Sequence, residues 1–474
     1  MFLPRLWMNK GVDVSSNQIE PAQEGNSALE ALTSEELDNI RDLVSLGDGS
    51  AVLAAIDDMH ESDIAEIISL LTYDQRLAFM ALVGVDIPSA VFPELDESIR
   101  DEVIEFVDLE KMVATVQELD SDDAVFVLED MDEEERQQIL RKIPRSSRLV
   151  LERALEFPED SAGRLMQSEF IAVPPYWTVG QTIDYLRASD DLPTDFLEIY
   201  VTDPTYKPIG AVHLSQILRA QRAEKIESLT HDHFMLLQAD LDREEVARIF
   251  ERYHLVSAAV VGEDQRLLGV VTPDDVFEVI VEEAGEDILL LGGVGDEAVT
   301  DSVYDTARGR VSWLFLNLLT AIAASIVIGW FDASIEKMVA LAILMPIVAS
   351  MGGNAGTQTL TIAVRGLATQ ELQAVNMVRV VYRELGVGIL NGLVFALVTG
   401  IVAALWFDSG ALGAVLAAAM VVNLFVAAMA GILIPIGLYR AGVDPALAST
   451  VFVTTVTDVI GFFAFLSFAT VFLI

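Results

Sequence analysis

The amino-acid sequence predicts a multi-domain chain: an all-α superhelical N domain, tandem α/β modules and a five-span α-helical transmembrane domain. Three observations carry that prediction. Charge is partitioned, since of 73 Asp and Glu and 29 Lys and Arg only 7 acidic and 5 basic residues lie beyond Arg310. Periodicity changes along the chain, from a repeated helical layout to alternating helices and short strands. Five apolar runs long enough to cross a bilayer all follow residue 310.

Residues 1–30 are polar and rich in Ser, Gln and Glu, which predicts a disordered tail; MFLPRLWMNK is too short an opening for a signal peptide. The helical N domain is expected over residues 31–157. Its segments DIAEIISLLTYDQRLAFM (63–80) and DAVFVLEDMDEEERQQIL (123–140) share a layout at an offset of 60, with Arg76 matched to Arg136. One helical hairpin cannot bury its own apolar face, so the repetition predicts a stack. The many carboxylates here read as a solvated face, and no catalytic constellation is present.

Two α/β modules follow, the first over 158–225, entered through the linker EFPEDSAGRLM, and the second over 226–283. Each reads as helix, strand, strand, helix: 178–188, 197–201, 210–212 and 214–220, then 243–253, 258–261, 268–271 and 273–283. Asp274, Asp275, Glu278, Glu282, Glu283, Glu286 and Asp287 then crowd into 14 residues, running into an acidic connecting helix over 284–310. Like charges three and four apart on a helix cost about 0.2–0.5 kcal/mol per pair, so something must offset them. Two readings stand: a regulatory Mg²⁺ site, since hard cations take carboxylate oxygens, or the solvated face of a halophilic protein.

A net charge of −44 repels nucleic acid and anionic headgroups. Only six of the 29 basic residues are Lys, and the acid is spread through every soluble segment, which points to a salty, charge-screening cell interior. Absence of Cys excludes disulfides and thiolate chemistry. Five His residues form no HExxH pair, and His231 with His233 is too sparse for a metal site.

The transmembrane domain, 311–474, holds spans at 311–331, 339–364, 385–407, 412–438 and 448–474. Arginines 308, 310, 365, 379, 383 and 440 lie on one side and Lys337 on the other, so the positive-inside rule puts the N-terminus in the cytosol and the C-terminus outside. In the last span Asp458 lies ten residues beyond Ala448, about 15 Å at 1.5 Å per residue, near the middle of a hydrocarbon core roughly 30 Å thick. Thr450, Thr454 and Asp458 share one face, with Thr457 and Gly461 beside them. An ionisable group at that depth marks an ion pathway, the alternative being a carboxylate sealed by hydrogen bonds against a neighbouring helix. In the second span Pro346, Gly352, Gly353 and Gly356 allow close helix contact or local unwinding beside a polar stripe of Asn354, Thr357, Gln358 and Thr361. Asn423 and Pro435 give the fourth span a weaker echo.

The element GVVTPDD (269–275) resembles the strand-to-helix signature of paired CBS modules, in which Thr272 and Asp275 would hold the ribose of an adenine nucleotide such as ATP. The same acids also suit a helix's first turn with no ligand, and GAVHLSQ (210–216) departs from the signature in the first module. Over nearly its whole length the chain resembles the MgtE magnesium channel/transporter family, on EDSAGRLM (159–166), EEAGEDILLLGGV (282–294), PIVASMGGNAGTQ (346–358) and DPALASTVFVTTVTDVIGF (444–462). The resemblance implies a homodimer in the plasma membrane with a central Mg²⁺-selective pore, closed by cytosolic Mg²⁺ that bridges the N domain, the CBS modules and the connecting helix. It implies that Asp458 is the pore carboxylate and that Asp444 lies at the cytosolic mouth; Asn354, Gly353, Gly356 and Thr454 are expected to border the same path. Transport of Co²⁺ or Zn²⁺, or a membrane-anchored nucleotide sensor, are the alternatives, and catalysis is not expected.

Overall fold

Short amphipathic helices with side-chain caps build the first domain. The computed structural model describes residues 32–84, 86–189, 192–193, 195–231, 234–295, 303–372, 375–447 and 449–474. The predicted tail, His233 and residues 296–302 of the connecting segment lie outside these. Helices run from α1 (Ser34–Leu46) to α9 (Arg145–Leu155). Thr33 and Glu36 form a capping box on α1, and Asp48 and Asp108 accept from backbone amides of the helices they precede. The stack encloses a continuous core through Ile40, Ile67, Phe79, Phe92, Val127 and Leu128.

Two buried arginines tie its layers together. Arg76 donates through Nη1 to the Ile68 carbonyl at 2.9 Å and through Nε to Glu102 at 2.9 Å. Arg100 donates to the Leu95 carbonyl at 3.1 Å, pairs with Asp130 and lies 4.2 Å over the Phe126 ring. The structural counterpart of Arg76 is therefore Arg100, not the Arg136 that the sequence layout matched to it. Arg136 sits behind three acids of its own helix and pairs locally with Glu133.

Each α/β module is a three-stranded sheet. The first has β1 (Ala172–Val173) parallel to β2 (Glu198–Thr202), which pairs antiparallel with β3 (Pro208–His213); the second repeats this with β4 (Leu236–Gln238), β5 (Ala258–Val261) and β6 (Leu267–Val271). Helices α11 (Val179–Ala188), α12 (Leu214–Arg219) and α13 (Arg243–Tyr253) lie close to their expected ranges. The strands β1 and β4 escape the sequence reading because two or three residues show no alternation.

The segment read as a linker is packed. In it α10 (Ala162–Leu165) donates from Ala162 to the Leu241 carbonyl at 2.7 Å and from Gly163 to the Ala239 carbonyl at 2.8 Å. A Cβ on Gly163 would sit 2.5 Å from the Phe157 ring, so only glycine admits that approach. Ala162 and Met166 are core residues of the second module, beside Leu237 and Val260. Likewise α14 (Pro273–Gly292) does not stop at 283; it runs on until Gly293 ends it in the left-handed conformation at φ 71°. The acidic connecting helix is thus, as far as Gly292, the continuation of the second module's last helix.

Among the described residues five helices are long and apolar enough to cross a membrane: α15 (Val303–Gly329), α17 (Ala340–Ala368), α18 (Met377–Trp406), α19 (Gly410–Arg440) and α20 (Ser449–Phe472), with the short α16 (Asp332–Lys337) between the first two. α19 is central, packing on α17, α18 and α20, while α15 lies on α20. Exposed Leu314, Phe315 and Leu318 on α15 and Leu393 and Leu397 on α18 give those helices faces suited to lipid. α17 is unbroken through Pro346 and its glycines, so of the two expectations for this motif it is close contact, not unwinding, that the structure adopts.

Candidate ion pathway and acidic junctions

Small residues let α17, α19 and α20 meet at backbone distance. A Cβ on Gly352 would lie 2.3 Å from Asn423 Nδ2 and one on Gly461 2.9 Å from the same amide, so Asn423 fills a slot between two glycines. Asn423 is fully buried and donates to the Val348 carbonyl at 2.7 Å. One turn along, a Cβ on Gly356 would meet Val453 Cγ1 at 2.5 Å, and one on Gly431 would meet the Gly356 carbonyl at 2.6 Å. Gly353 faces open space. Gly356→Ala should therefore cost about 1–3 kcal/mol of stability by overpacking, while Gly353→Ala should leave thermal unfolding in detergent unchanged. Equal melting of the two variants would contradict this packing.

The sealed face of α17 contrasts with its other side. Ser350, Asn354, Thr357, Gln358 and Thr361 are exposed, and among the described residues Asn354 reaches only Ser350, at 3.4 Å, within its own helix. On α20 the stripe divides. Thr457 is buried and bonds back to the Thr454 carbonyl, whereas Thr454 and Asp458 stay partly exposed. Thr454 donates to the Thr450 carbonyl at 2.9 Å. Among the described residues no hydrogen bond or ion pair seals Asp458 against a neighbouring helix.

The seven clustered carboxylates are not one site. Residues 275, 278 and 282 fall on one face of α14 and 283 and 287 on the next, because a helix turns about 100° per residue. The first face meets the N domain in a cavity of about 90 Å³, where Asp275, Glu278 and Glu282 oppose Asp122, Asp123 and Glu129. Burial there, reinforced by the neighbouring carboxylates, pushes Asp123 up to about 6 and Glu278 up to about 7, and raises Asp122 well above the usual range. Asp275 is likewise pushed up to about 7 by burial, partly countered by its bonds from Thr272. Those bonds, 2.7 Å from Oγ1 and 3.4 Å from the amide, make Thr272 and Asp275 a capping box, while Asp274 stays exposed beside them.

Arg243 holds the middle of the cluster, 2.8 Å from Glu283, 3.1 Å from Glu282 and 3.3 Å from Asp160. The second face looks towards the membrane domain. A cavity of about 400 Å³ gathers Glu283, Glu286 and Asp287 with Asp444, Val364 and Tyr439. Burial, and then the nearby Asp444, raise Asp287 above the ordinary carboxylate value. Asp444 itself accepts from the Ala446 amide at 2.7 Å in the turn that leads into α20.

The end of α14 docks directly on the membrane helices. Leu290 and Leu291 pack against Leu360, Val364, Ala446 and Val453, and Thr450 Oγ1 donates to the Leu291 carbonyl at 2.9 Å. Asp122, Asp123, Arg243 and this Thr450 contact carry no signal in the sequence. Their partners lie some 40 to 160 residues away, and the N-domain acids look like any solvated face.

This architecture has counterparts among known proteins. Residues 345–468 match the model of the MgtE divalent cation transporter, residues 59–160 that of the MgtE intracellular N domain, and residues 226–282 that of the CBS domain. The magnesium transporter MgtE of Bacillus subtilis (strain 168) is 30% identical over 437 residues, covering 92% of this chain and 97% of that protein. The chain belongs to the MgtE family of magnesium transporters. The Thermus thermophilus MgtE is 31% identical over 442 residues, covering 91% of this chain and 97% of that one. A crystal structure of the cytosolic domain of the Mg²⁺ channel MgtE in complex with ATP aligns at 24% identity and a TM-score of 0.48, covering 51% of this chain and 99% of that one. The five long helices described above suit a multi-pass membrane protein.

Proposed function

We propose that this chain is a passive, Mg²⁺-gated Mg²⁺ uptake channel of the plasma membrane that works as a homodimer, with its N-terminal half cytosolic and its C-terminus outside. The observation that carries the gating is the unbroken line of contacts from the N domain to the pore helix. Acids of the N domain face α14, and α14 ends against Thr450, two turns before Asp458 on α20. The polar face of α17 supports the dimer, because an exposed row of Asn, Gln and Thr in a membrane span needs water or a second subunit beside it. Two Asp458 carboxylates would then face a hydrated cation whose inner water shell stays in place, since Mg²⁺ dehydrates reluctantly. Asn354, Thr454 and the Gly353 and Gly356 segment would border the same path.

Cytosolic Mg²⁺ would occupy both acidic junctions: Asp275, Glu278 and Glu282 with Asp122 and Asp123 on one side, and Glu283, Glu286 and Asp287 with Asp444 on the other. Each ion would favour the docked arrangement by relieving repulsion that exists only there, which is the differential binding a two-state gate requires. ATP could add to this at Thr272 and Asp275, where it would have to break the capping box; calorimetry with ATP on the full chain tests it. Carriage of Co²⁺ or Zn²⁺ is the rival reading. The spans hold no His or Cys, which disfavours soft-metal selectivity, and competition of labelled Mg²⁺ flux by each ion decides.

A pH dependence follows. Asp123, Asp275 and Glu278 are raised to about 6 and 7 in the docked arrangement and would return towards ordinary values near 4 when the domains part. Docking without Mg²⁺ therefore takes up protons. It is favoured at acid pH and loses support as pH rises through about 6 to 7. In Mg²⁺-free buffer, protease protection of the cytosolic half should be stronger at about pH 6 than at pH 8, and more Mg²⁺ should be needed for the same protection at pH 8, because protons no longer relieve the repulsion there. Protection independent of pH would remove these carboxylates from the gate.

A further inference from the structure

The first α/β module carries a cluster that the transport reading does not use. Glu198 opens β2, and His213, which closes β3, is its cross-strand partner. His231 bridges to β3 at Ala211, two residues before His213, so all three side chains share one patch of the sheet. That approach depends on Gly210, where a Cβ would lie 1.9 Å from the methyl of Thr230.

His213 Nδ1 stands 3.1 Å from Glu198 Oε1 and His231 Nε2 stands 3.6 Å from the same oxygen, and one ligand atom from each residue lies within 4.8 Å of the others. Ligand atoms around a tetrahedral Zn²⁺ with bonds of about 2.0–2.1 Å are about 3.3 Å apart. The two shorter separations bracket that edge. Both ring nitrogens of His231 are buried from solvent and have no hydrogen-bond partner among the described residues. An imidazole left in that condition forgoes a bond that a metal would supply. The Glu198 side chain is 7% exposed, whereas that of His213 is 42% exposed, which leaves an entry path. On its other oxygen Glu198 accepts from Ser257 Oγ at 2.6 Å, and Ser257 in turn lies 2.6 Å from the Tyr200 hydroxyl. Ser257 precedes β5 of the second module, so the carboxylate is oriented across the module boundary, as metal-bound carboxylates commonly are.

We propose that Glu198, His213 and His231 form a transition-metal site in the first module, with Zn²⁺ the best-suited ion and water completing the tetrahedron. Two imidazoles and one carboxylate favour Zn²⁺ over Mg²⁺, which takes an octahedron of oxygens. The site is chemically separate from the acidic junctions. It would let a borderline-soft metal fix the Glu198–Ser257 link between the two modules.

Co²⁺ serves as the probe, on the metal-stripped full chain in detergent with excess Mg²⁺ present to fill the carboxylate sites. One Co²⁺ per chain should bind with the strong visible absorption of tetrahedral coordination, and Zn²⁺ should displace it. His213→Gln and His231→Gln should each weaken binding about 100-fold or more and Ser257→Ala about tenfold, while His60→Gln should match wild type. Far-UV circular dichroism checks that the variants fold, and the wild-type spectrum decides independently of them. Only weak octahedral absorption, displacement of Co²⁺ by Mg²⁺, or wild-type titration of a folded His213→Gln or His231→Gln variant would overturn the assignment.

Discussion

Cells that depend on this chain for Mg²⁺ should lose uptake when Asp458 becomes Ala. The expected drop is at least about tenfold, the effect of removing ~1.4 kcal/mol of cation stabilisation at one point of the path. The physical reason is position. A carboxylate near the bilayer midplane costs several kcal/mol unless it faces water or a counter-charge, and no partner from the described residues seals Asp458. A passing divalent cation is the partner that justifies it. Asp458→Asn, close to isosteric, separates charge from shape: it should lose uptake like the alanine variant while keeping the wild-type melting temperature. Uptake equal to wild type at matched expression would take Asp458 off the pathway and leave it a structural carboxylate.

The second large effect concerns closure. Neutralising Asp275, Glu286 and Asp287 together, as Asn, Gln and Asn, removes charge from both acidic junctions at once. Because each carboxylate is both a ligand for Mg²⁺ and a source of the repulsion that Mg²⁺ relieves, the variant should conduct while responding weakly to cytosolic Mg²⁺. Protease protection, which in wild type should rise with Mg²⁺ at fixed ionic strength, should become nearly flat. Ionic strength is held constant because salt screens the same repulsion without specific binding. If protection follows ionic strength alone and the triple variant behaves as wild type, the cluster is a solvated acidic face and closure must be sought elsewhere.

How far the sequence could lead depended on the length scale of each signal. Long apolar runs located all five spans, since a bilayer demands some twenty residues of one character. Residues 243–253 and 258–261 were read to the residue because strong amphipathicity and a four-residue apolar strand leave little choice. Shorter or longer-range features were hidden. The continuity of α14 beyond Glu283 was masked because Gly285 interrupts the helical pattern, although the helix runs through it to Gly292. The division of its acids into two junctions was hidden because it depends on which domain each face meets. Asn423 was legible only as a weak echo, although it fills a tight slot between two helices of the membrane domain. His231 was dismissed beside His233, since nothing local announces that β3 brings His213 and Glu198 to it.

The Asn423 slot also restricts how the pathway can change width. Its amide is lodged between Gly352 of α17 and Gly461 of α20, and it is bonded to the α17 backbone at Val348. Sliding any one of the three helices by even a residue would drive a side chain into that space or strip the buried amide of its acceptor. They are riveted at one depth, so an iris-like motion among them is costly. Widening is left to tilting of the riveted trio as one piece, or to displacement of the α14 terminus at Thr450, below the rivet.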